Sequence, residues 1–224
     1  LQAIKQIFRQ AFLVLLTFQA MALHLRIHPD NPQQRLIKQV VDCLLSDGII
    51  IFPTDTVYAI GCSMHSRVGL AHISRIKQSD PAKALLSFVC PDLSDLSKYA
   101  RQLDTPTFRL LKQHLPGPFT FILPASREVP KIMQSKKSTI GLRVPDNNIA
   151  QAIAAALGHP VLAASVPADH PEDLADPDII FENFERLVDI VVDGGVGGIV
   201  PSTVVDLTGE EPAVIRQGKG EWEE

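Results

Sequence analysis

The stretch Ile49-Ile50-Ile51-Phe52-Pro53-Thr54-Asp55-Thr56-Val57-Tyr58-Ala59-Ile60-Gly61 decides how this chain folds. Four consecutive β-branched or aromatic residues read as a strand buried on both faces. Pro53 ends that strand, so Thr54, Asp55 and Thr56 emerge at its carboxyl end, where open α/β sheets place ligands. Two hydroxyls and a carboxylate supply donors and acceptors at one mouth. The same triplet suits a strand-ending turn that bonds its own backbone; from sequence, both readings stand.

Working outward, upstream of this strand Leu36, Ile37, Val40, Val41, Leu44 and Leu45 recur at helical spacing. They predict a helix opened by Asn31-Pro32 and stopped near Ser46, with Gly48 supplying a left-handed cap. Leu23–Ile27 reads as a short strand. Downstream strands are expected at Leu85–Cys90, Thr120–Pro124, Thr139–Val144, Val161–Ser165, Ile190–Val192 and Thr203–Asp206. Helical patterns fall near Val68–Gln78, Leu93–Ala100, Pro106–His114, Val129–Gln134, Ile149–Leu157 and Ile179–Glu185. This alternation predicts an α/β domain built on one mixed sheet with flanking helices.

The chain has 224 residues, enough for one substantial core without a disulfide or metal staple. A formal net charge of −4 excludes a broad basic coat for non-specific nucleic-acid binding, though not a local basic cleft. Cys43, Cys62 and Cys90 stand far apart, without CxxC spacing, so they read as core thiols in a reducing compartment. The seven histidines are scattered along the chain, and no metal site is expected. GxxxxGK[ST] and GxSxG are both absent, which leaves P-loop and α/β-hydrolase chemistry without support. Asp193-Gly194-Gly195-Val196-Gly197-Gly198 lacks GxGxxG spacing and reads as a flexible turn.

Residues 1–20 are expected to be an N-terminal extension, either sequence upstream of a start at Met21 or a weakly signal-like helix. Lys5 and Arg9 precede an apolar run, Ala11–Phe18, far short of the roughly 20 residues of a membrane span. Cytoplasmic placement, away from membranes, is the expectation.

Polar residues cluster at other segment ends. Lys77 and Lys83 flank a turn and could converge on a phosphate, or remain solvated at a helix C-terminus. Arg143, in Gly141-Leu142-Arg143-Val144-Pro145, sits inside an apolar strand; such an arginine pairs internally or reaches an anion. Pro116-Gly117-Pro118-Phe119-Thr120, Pro201-Ser202-Thr203 and Ile215-Arg216-Gln217-Gly218 place further hydroxyls and an arginine at strand ends.

The order of these segments (PTDTVYAIG, IK, PGPFT, GLRVP, a strand ending in Ser165, PSTVVD, IRQG) resembles the YrdC family of L-threonylcarbamoyladenylate synthases and their relatives across residues 24–220. The opening at His28–Arg35 is most similar to the YciO branch. The resemblance implies that residues 21–224 form one YrdC-like domain, a twisted mixed sheet with helices outside and a concave, positively charged site. It also implies an enzyme that joins L-threonine, bicarbonate and ATP, carried with Mg²⁺, into threonylcarbamoyl-AMP and pyrophosphate for adenosine modification in tRNA. Downstream tRNA-modifying proteins would take the labile adenylate onward.

By motif, Lys77 and Ser165 would be catalytic. Thr54, Thr56, Arg143 and Ser202 would bind substrate, with Arg143 forking the threonine carboxylate. Lys77, Lys83, Thr120, Thr203 and Arg216 would bind nucleotide. Three positions depart from the family pattern: Lys77-Gln78-Ser79 lacks the arginine of Lys-x-Arg, and Ala164-Ser165-Val166-Pro167 lacks the threonine and the asparagine of Thr-Ser-x-Asn. Losing one charge-assisted phosphate contact costs about 1.5–3 kcal/mol. The alternative is therefore a divergent relative that binds nucleotide or double-stranded RNA through the same cleft.

Overall fold

The computed structural model describes residues 21–78, 86–101, 103–135, 137–168 and 170–222. The expectations for residues 1–20 and for Lys83 lie outside these described residues.

Ten strands form one open mixed sheet. They are β1 (Leu23–Arg26), β2 (Ile50–Phe52), β3 (Ala59–Ser63), β4 (Ser87–Val89), β5 (Phe119–Pro124), β6 (Thr139–Arg143), β7 (Val161–Ser165), β8 (Ile190–Asp193), β9 (Thr203–Asp206) and β10 (Ala213–Arg216). Their order across the sheet is β1-β8-β2-β3-β7-β4-β6-β5-β9-β10. Parallel pairs β1–β8, β2–β8, β4–β6 and β5–β9 mix with antiparallel β2–β3, β3–β7, β4–β7, β5–β6 and β9–β10.

The described helices are α1 (Gln34–Leu45), α2 (Arg67–Ile76), α3 (Leu93–Tyr99), α4 (Thr105–His114), α5 (Asn148–Leu157) and α6 (Pro177–Phe184). They divide unequally between the two faces. Leu70 and Ile73 of α2, Leu96 and Tyr99 of α3, Leu111 of α4, and Ile180 and Phe184 of α6 join one core with Ile60, Phe88, Phe121, Leu142 and Leu162. Among the described residues the other face carries only α1 and α5, whose Ile37, Val40, Leu44, Ile149 and Ile153 pack on Ile50, Phe52, Ala59, Val89 and Ala163. These two helices cover one end of that face as far as Val89 of β4, and no described helix packs over β6, β5 and β9 there.

Side chains start most of the helices. Ser66, Asp92, Asp104, Asn147 and Asp176 each accept a backbone N–H in the first turn of α2 to α6. α1 is different: Gln33 makes no side-chain cap, and the helix begins at Gln34 rather than at Asn31-Pro32. His28 Nδ1 accepts from the amides of Asp30 and Asn31, and Gln33 Oε1 accepts from His28, so residues 28–33 close as a turn first.

Three further expectations are corrected. The left-handed residue after α1 is Asp47, with φ 63°, not Gly48; a Cβ on Gly48 would strike Cys43, so glycine serves close approach there. Val129–Gln134 forms only the single turn Lys131–Met133. The glycine-rich turn at 193–198 is packed rather than loose, since a Cβ at Gly197 would meet the Tyr58 ring and one at Gly198 the Thr56 carbonyl. Of the described helices, none is long and apolar enough to cross a membrane.

Candidate functional site

The open part of the sheet is a trough with a floor of small side chains. Registry places Ser165 against Ala59, Ala163 against Gly61 and Ser87, and Ser87 against Gly141. On β6 the alternation of a strand puts Thr139, Gly141 and Arg143 on one face, and all three line the trough together with Thr120, Ile122, Ser202, Val204 and Arg216. Gly141 keeps the floor low: a Cβ there would sit 3.1 Å from the Leu86 carbonyl and 3.3 Å from Thr120 Cγ2.

One end is built by the Pro53–Tyr58 segment, the end of β6, the end of β7 and the start of β9. Thr54 and Thr56 bond each other at 3.1 Å through their hydroxyls, and Thr54 also donates to the Val57 carbonyl. Arg143 Nη2 donates to Asp55 Oδ1 and Thr56 Oγ1. The Arg143 and Asp55 side chains are each about nine-tenths buried, and Arg143 Nε and Asp55 Oδ2 have no partner among the described residues. Burial lowers the pKa of Arg143, and the Asp55 charge opposes that shift. The triplet therefore takes both roles left open by its sequence: it forms a self-bonded turn, and it anchors the arginine that faces the trough.

Two more cations join this end. Lys77, where α2 stops, donates from Nζ to the Ser165 carbonyl at 2.8 Å. Arg216 holds the Ser202 carbonyl through Nε and Nη2, while Ser202 Oγ lies 2.9 Å from Thr120 Oγ1. Burial depresses the Lys77 ammonium and the Arg216 charge lowers it further; burial likewise lowers Arg216, followed by the charge of Arg143. Arg216 repels both Lys77 and Arg143, and the Asp55 carboxylate at this end is already committed to Arg143. An anion entering here relieves the repulsion and meets hydroxyl donors.

Of the residues singled out from sequence, Thr54, Thr120, Arg143, Ser165, Ser202 and Arg216 line the trough. Lys77 reaches its edge through Ser165. Thr56 is fully buried behind Arg143. Thr203 does not face a ligand: its hydroxyl donates to the Gly220 carbonyl and accepts from Gly218 N, and it braces the wall. Sequence reasoning passed over Lys219, whose Nζ donates to the Asp55 carbonyl at 2.6 Å, and Tyr58, whose hydroxyl donates to the Gly195 carbonyl and accepts from Gly194 N. Nothing in their local sequence marks either one. It also passed over Thr139, which the two-residue period of β6 places on the face of Arg143.

Beside the trough lies a second, open groove lined by Lys98, Arg101, Arg127, Lys131 and one carboxylate, Glu128. Gln134 lines both. The net negative charge of the chain conceals this local basic surface.

A family model described as Sua5/YciO/YrdC, telomere recombination, matches residues 42–218. The chain belongs to this family. YciO of Escherichia coli K12 is 45% identical over 197 residues, covering 87% of this chain and 95% of YciO. The threonylcarbamoyl-AMP synthase of Chromohalobacter salexigens is 28% identical over 177 residues, covering 78% of this chain and 94% of that enzyme. The crystal structure of E. coli YciO matches with a TM-score of 0.84 at 42% identity, over 90% of this chain and 98% of that one. P. abyssi Sua5 complexed with L-threonine matches with a TM-score of 0.79 at 24% identity, a likeness of fold that covers 89% of this chain and 58% of Sua5. The branch expected from residues His28–Arg35 agrees with the YciO matches.

Proposed function

We propose that this chain is a nucleotidyltransferase of the threonylcarbamoyladenylate synthase kind, acting on L-threonine, bicarbonate and ATP. The observation that carries the reading is the convergence of Lys77, Arg143 and Arg216 with the hydroxyls of Thr120, Ser165 and Ser202 at one end of the trough. In the proposed reaction, the threonine amine bonds to the bicarbonate carbon, a C–O bond breaks and water leaves, and an oxygen of the resulting carbamate attacks the α-phosphorus of ATP. The bond from that phosphorus to the β-bridging oxygen breaks, and pyrophosphate leaves. Two anions must be held together against their repulsion, so positioned cations are the principal requirement. Lys77, Arg216 and Ser202 fit the polyphosphate.

In this reading Arg143 takes a narrower role than its motif implies. Its Nη2 is occupied by Asp55 and Thr56, so any contact with a threonine carboxylate would use the remainder of the guanidinium. Among the described residues no three His, Cys, Asp or Glu side chains gather as a metal site. Mg²⁺ in this reading arrives on the phosphates of ATP as part of the substrate. Relatives support the amino acid: the Chromohalobacter protein is named a threonylcarbamoyl-AMP synthase, and the P. abyssi structure is a complex with L-threonine.

The test incubates pure protein with ATP, Mg²⁺, L-threonine and bicarbonate and seeks threonylcarbamoyl-AMP by mass spectrometry. Product that requires both threonine and bicarbonate, and falls at least tenfold in Arg216→Ala, supports the reading. ATP binding without product would leave the divergent nucleotide- or RNA-binding relative. The basic groove of Lys98, Arg101, Arg127 and Lys131 favours that second reading, which predicts RNA affinity that drops steeply as salt rises.

A further inference from the structure

The segment that follows β10 crosses from one face of the sheet to the other. Arg216, the last residue of β10, lines the trough. Trp222 lies on the opposite face, where its ring stacks on His114 at 5.0 Å and meets Phe119 and Phe121 edge-on at 6.3 Å. Those two phenylalanines alternate along β5 with Thr120, a trough residue, so they point away from the trough into the helix-covered core.

Polar bonds close the crossing between Arg216 and Trp222. Gly218 N donates to Thr203 Oγ1 at 2.9 Å, that hydroxyl donates to the Gly220 carbonyl, and Gln217 Nε2 donates to the same carbonyl at 2.7 Å. Lys219 N donates to the Pro201 carbonyl at 2.8 Å. Several bonds share this task, so the loss of one leaves the crossing closed. The apolar anchor has no such replacement, because Gln217-Gly218-Lys219-Gly220-Glu221-Trp222 holds a single large apolar side chain.

From this segment one side chain reaches back to the cationic end of the trough. Lys219 Nζ donates to the Asp55 carbonyl at 2.6 Å, and the Asp55 carboxylate holds Arg143. Arg216, at the start of the crossing, holds the Ser202 carbonyl. An exposed lysine gives up much rotamer freedom for one hydrogen bond, so the bond persists only where the backbone beneath it is already fixed. A stacked indole fixes that backbone, since it buries a large rigid surface against its neighbours.

We propose that Trp222 is a positioning residue for anion binding in the trough. Stacked on His114, it fixes the segment that sets Lys219 on the Asp55 turn and Arg216 beside Ser202, and so couples an aromatic cluster on one face to the cations on the other. The proposal rests on the anion site of the reading above and adds what holds that site in shape.

The experiment measures pyrophosphate affinity by calorimetry and thermal stability by melting on the whole protein. The variants are Trp222→Ala, Trp222→Phe, Lys219→Met, the double variant of Trp222→Ala with Lys219→Met, and Phe184→Ala. Phe184 is buried in α6, which packs against β8 toward the sheet edge remote from β10, so its loss lowers stability without touching the crossing. Trp222→Ala is expected to weaken pyrophosphate binding roughly fivefold, about the value of one net hydrogen bond, and Trp222→Phe to restore it to within about twofold of wild type. The double variant is expected to bind within about twofold of the weaker single variant, because residues that act as one unit do not add. Phe184→Ala is expected to melt lower at wild-type affinity.

Wild-type affinity in Trp222→Ala would overturn the positioning role, as would an equal loss in Phe184→Ala or no recovery in Trp222→Phe. Fully multiplied losses in the double variant would overturn the coupling between Trp222 and Lys219. Failure of the wild type to bind pyrophosphate would instead overturn the anion site on which the reading above depends.

Discussion

Arg143 and Asp55, 88 residues apart in sequence, form an ion pair in which Nη2 stands 2.5 Å from Oδ1. The pair joins the end of β6 to the turn after β2, strands that lie four places apart in the sheet. It gives the cationic end of the trough a fixed wall, and it is where the structure departs most from a simple list of ligand-binding residues.

Removing the carboxylate tests that wall. Asp55→Ala leaves a buried guanidinium whose remaining partner is the Thr56 hydroxyl, and breaking a buried pair on one side costs about 3–5 kcal/mol. Urea denaturation should show a loss of that size. A change below about 1 kcal/mol would mean that Arg143 finds solvent and that the pair is not structural.

Anion affinity should depend on pH through Lys77. Burial first, and Arg216 second, lower its pKa from 10.5, so in the free protein the ammonium is held at a cost. A lysine with a depressed folded pKa weakens stability below that pKa and ceases to do so as pH rises through it. A bound polyphosphate favours the protonated form. Pyrophosphate affinity is therefore full below the free-state pKa of Lys77 and declines as pH rises through it. Titrations between roughly pH 7 and pH 10 should show the decline in the wild type, and Lys77→Met should bind more weakly with a flatter profile. The same slope in Lys77→Met would assign it to another group.

Thr203 and Thr120 should respond in opposite ways. Thr203→Val breaks the link between Gly218 and Gly220 and should cost about 1–3 kcal/mol of stability, with pyrophosphate affinity within about twofold of wild type. Thr120→Val removes a trough hydroxyl and should weaken pyrophosphate binding roughly fivefold with a smaller change in stability. A reversed pattern would return Thr203 to the ligand site.

Gly198→Ala should destabilise by about 1–3 kcal/mol and weaken anion binding together, because the new Cβ meets the Thr56 carbonyl and a main-chain atom has little room to yield. Thermal melting and calorimetry on the same sample check both effects. Wild-type behaviour in each would show that the glycine-rich turn can shift away from Thr56.

The thiols should be silent in the folded protein. Burial pushes Cys43 and Cys62 up to about 12 and Cys90 well above its ordinary value. At roughly pH 8 a thiol reagent should titrate Cys62 and Cys90 only after urea is added. Rapid reaction of Cys62 or Cys90 without denaturant would show that the core opens.

Much of the sheet was readable locally. The run Ile49–Phe52, the Leu36–Leu45 periodicity and the strand Val161–Ser165 carry patterns set by their own side chains, and the structure holds them within a residue or two. Strands β3 and β10 were not readable. Ala59, Gly61 and Ser63 are too small to advertise a strand, and β10 lies at the sheet edge with Ala213, Val214 and Ile215 all exposed, so no burial pattern exists to detect. Val129–Gln134 offered apolar spacing enough for a helix, but Pro130 and the Gln134 bond back to Val129 confine it to one turn.

By itself the sequence determined the α/β class, the polar turn after the first central strand and the family of the chain, because each depends on neighbours within a few residues or on the order of short motifs. The tertiary structure alone decided which of those polar residues meet. Arg143 could have paired inward or faced an anion, and it does the first with Nη2 while the side chain still lines the trough. Thr203 carries the same hydroxyl as Thr120, yet it spends both its donor and its acceptor on the segment ending at Gly220. Such outcomes depend on the register between β5, β6 and β9 and on how far the helices Gln34–Leu45 and Asn148–Leu157 extend over the sheet, and those are properties of packing between distant segments, which no local pattern encodes.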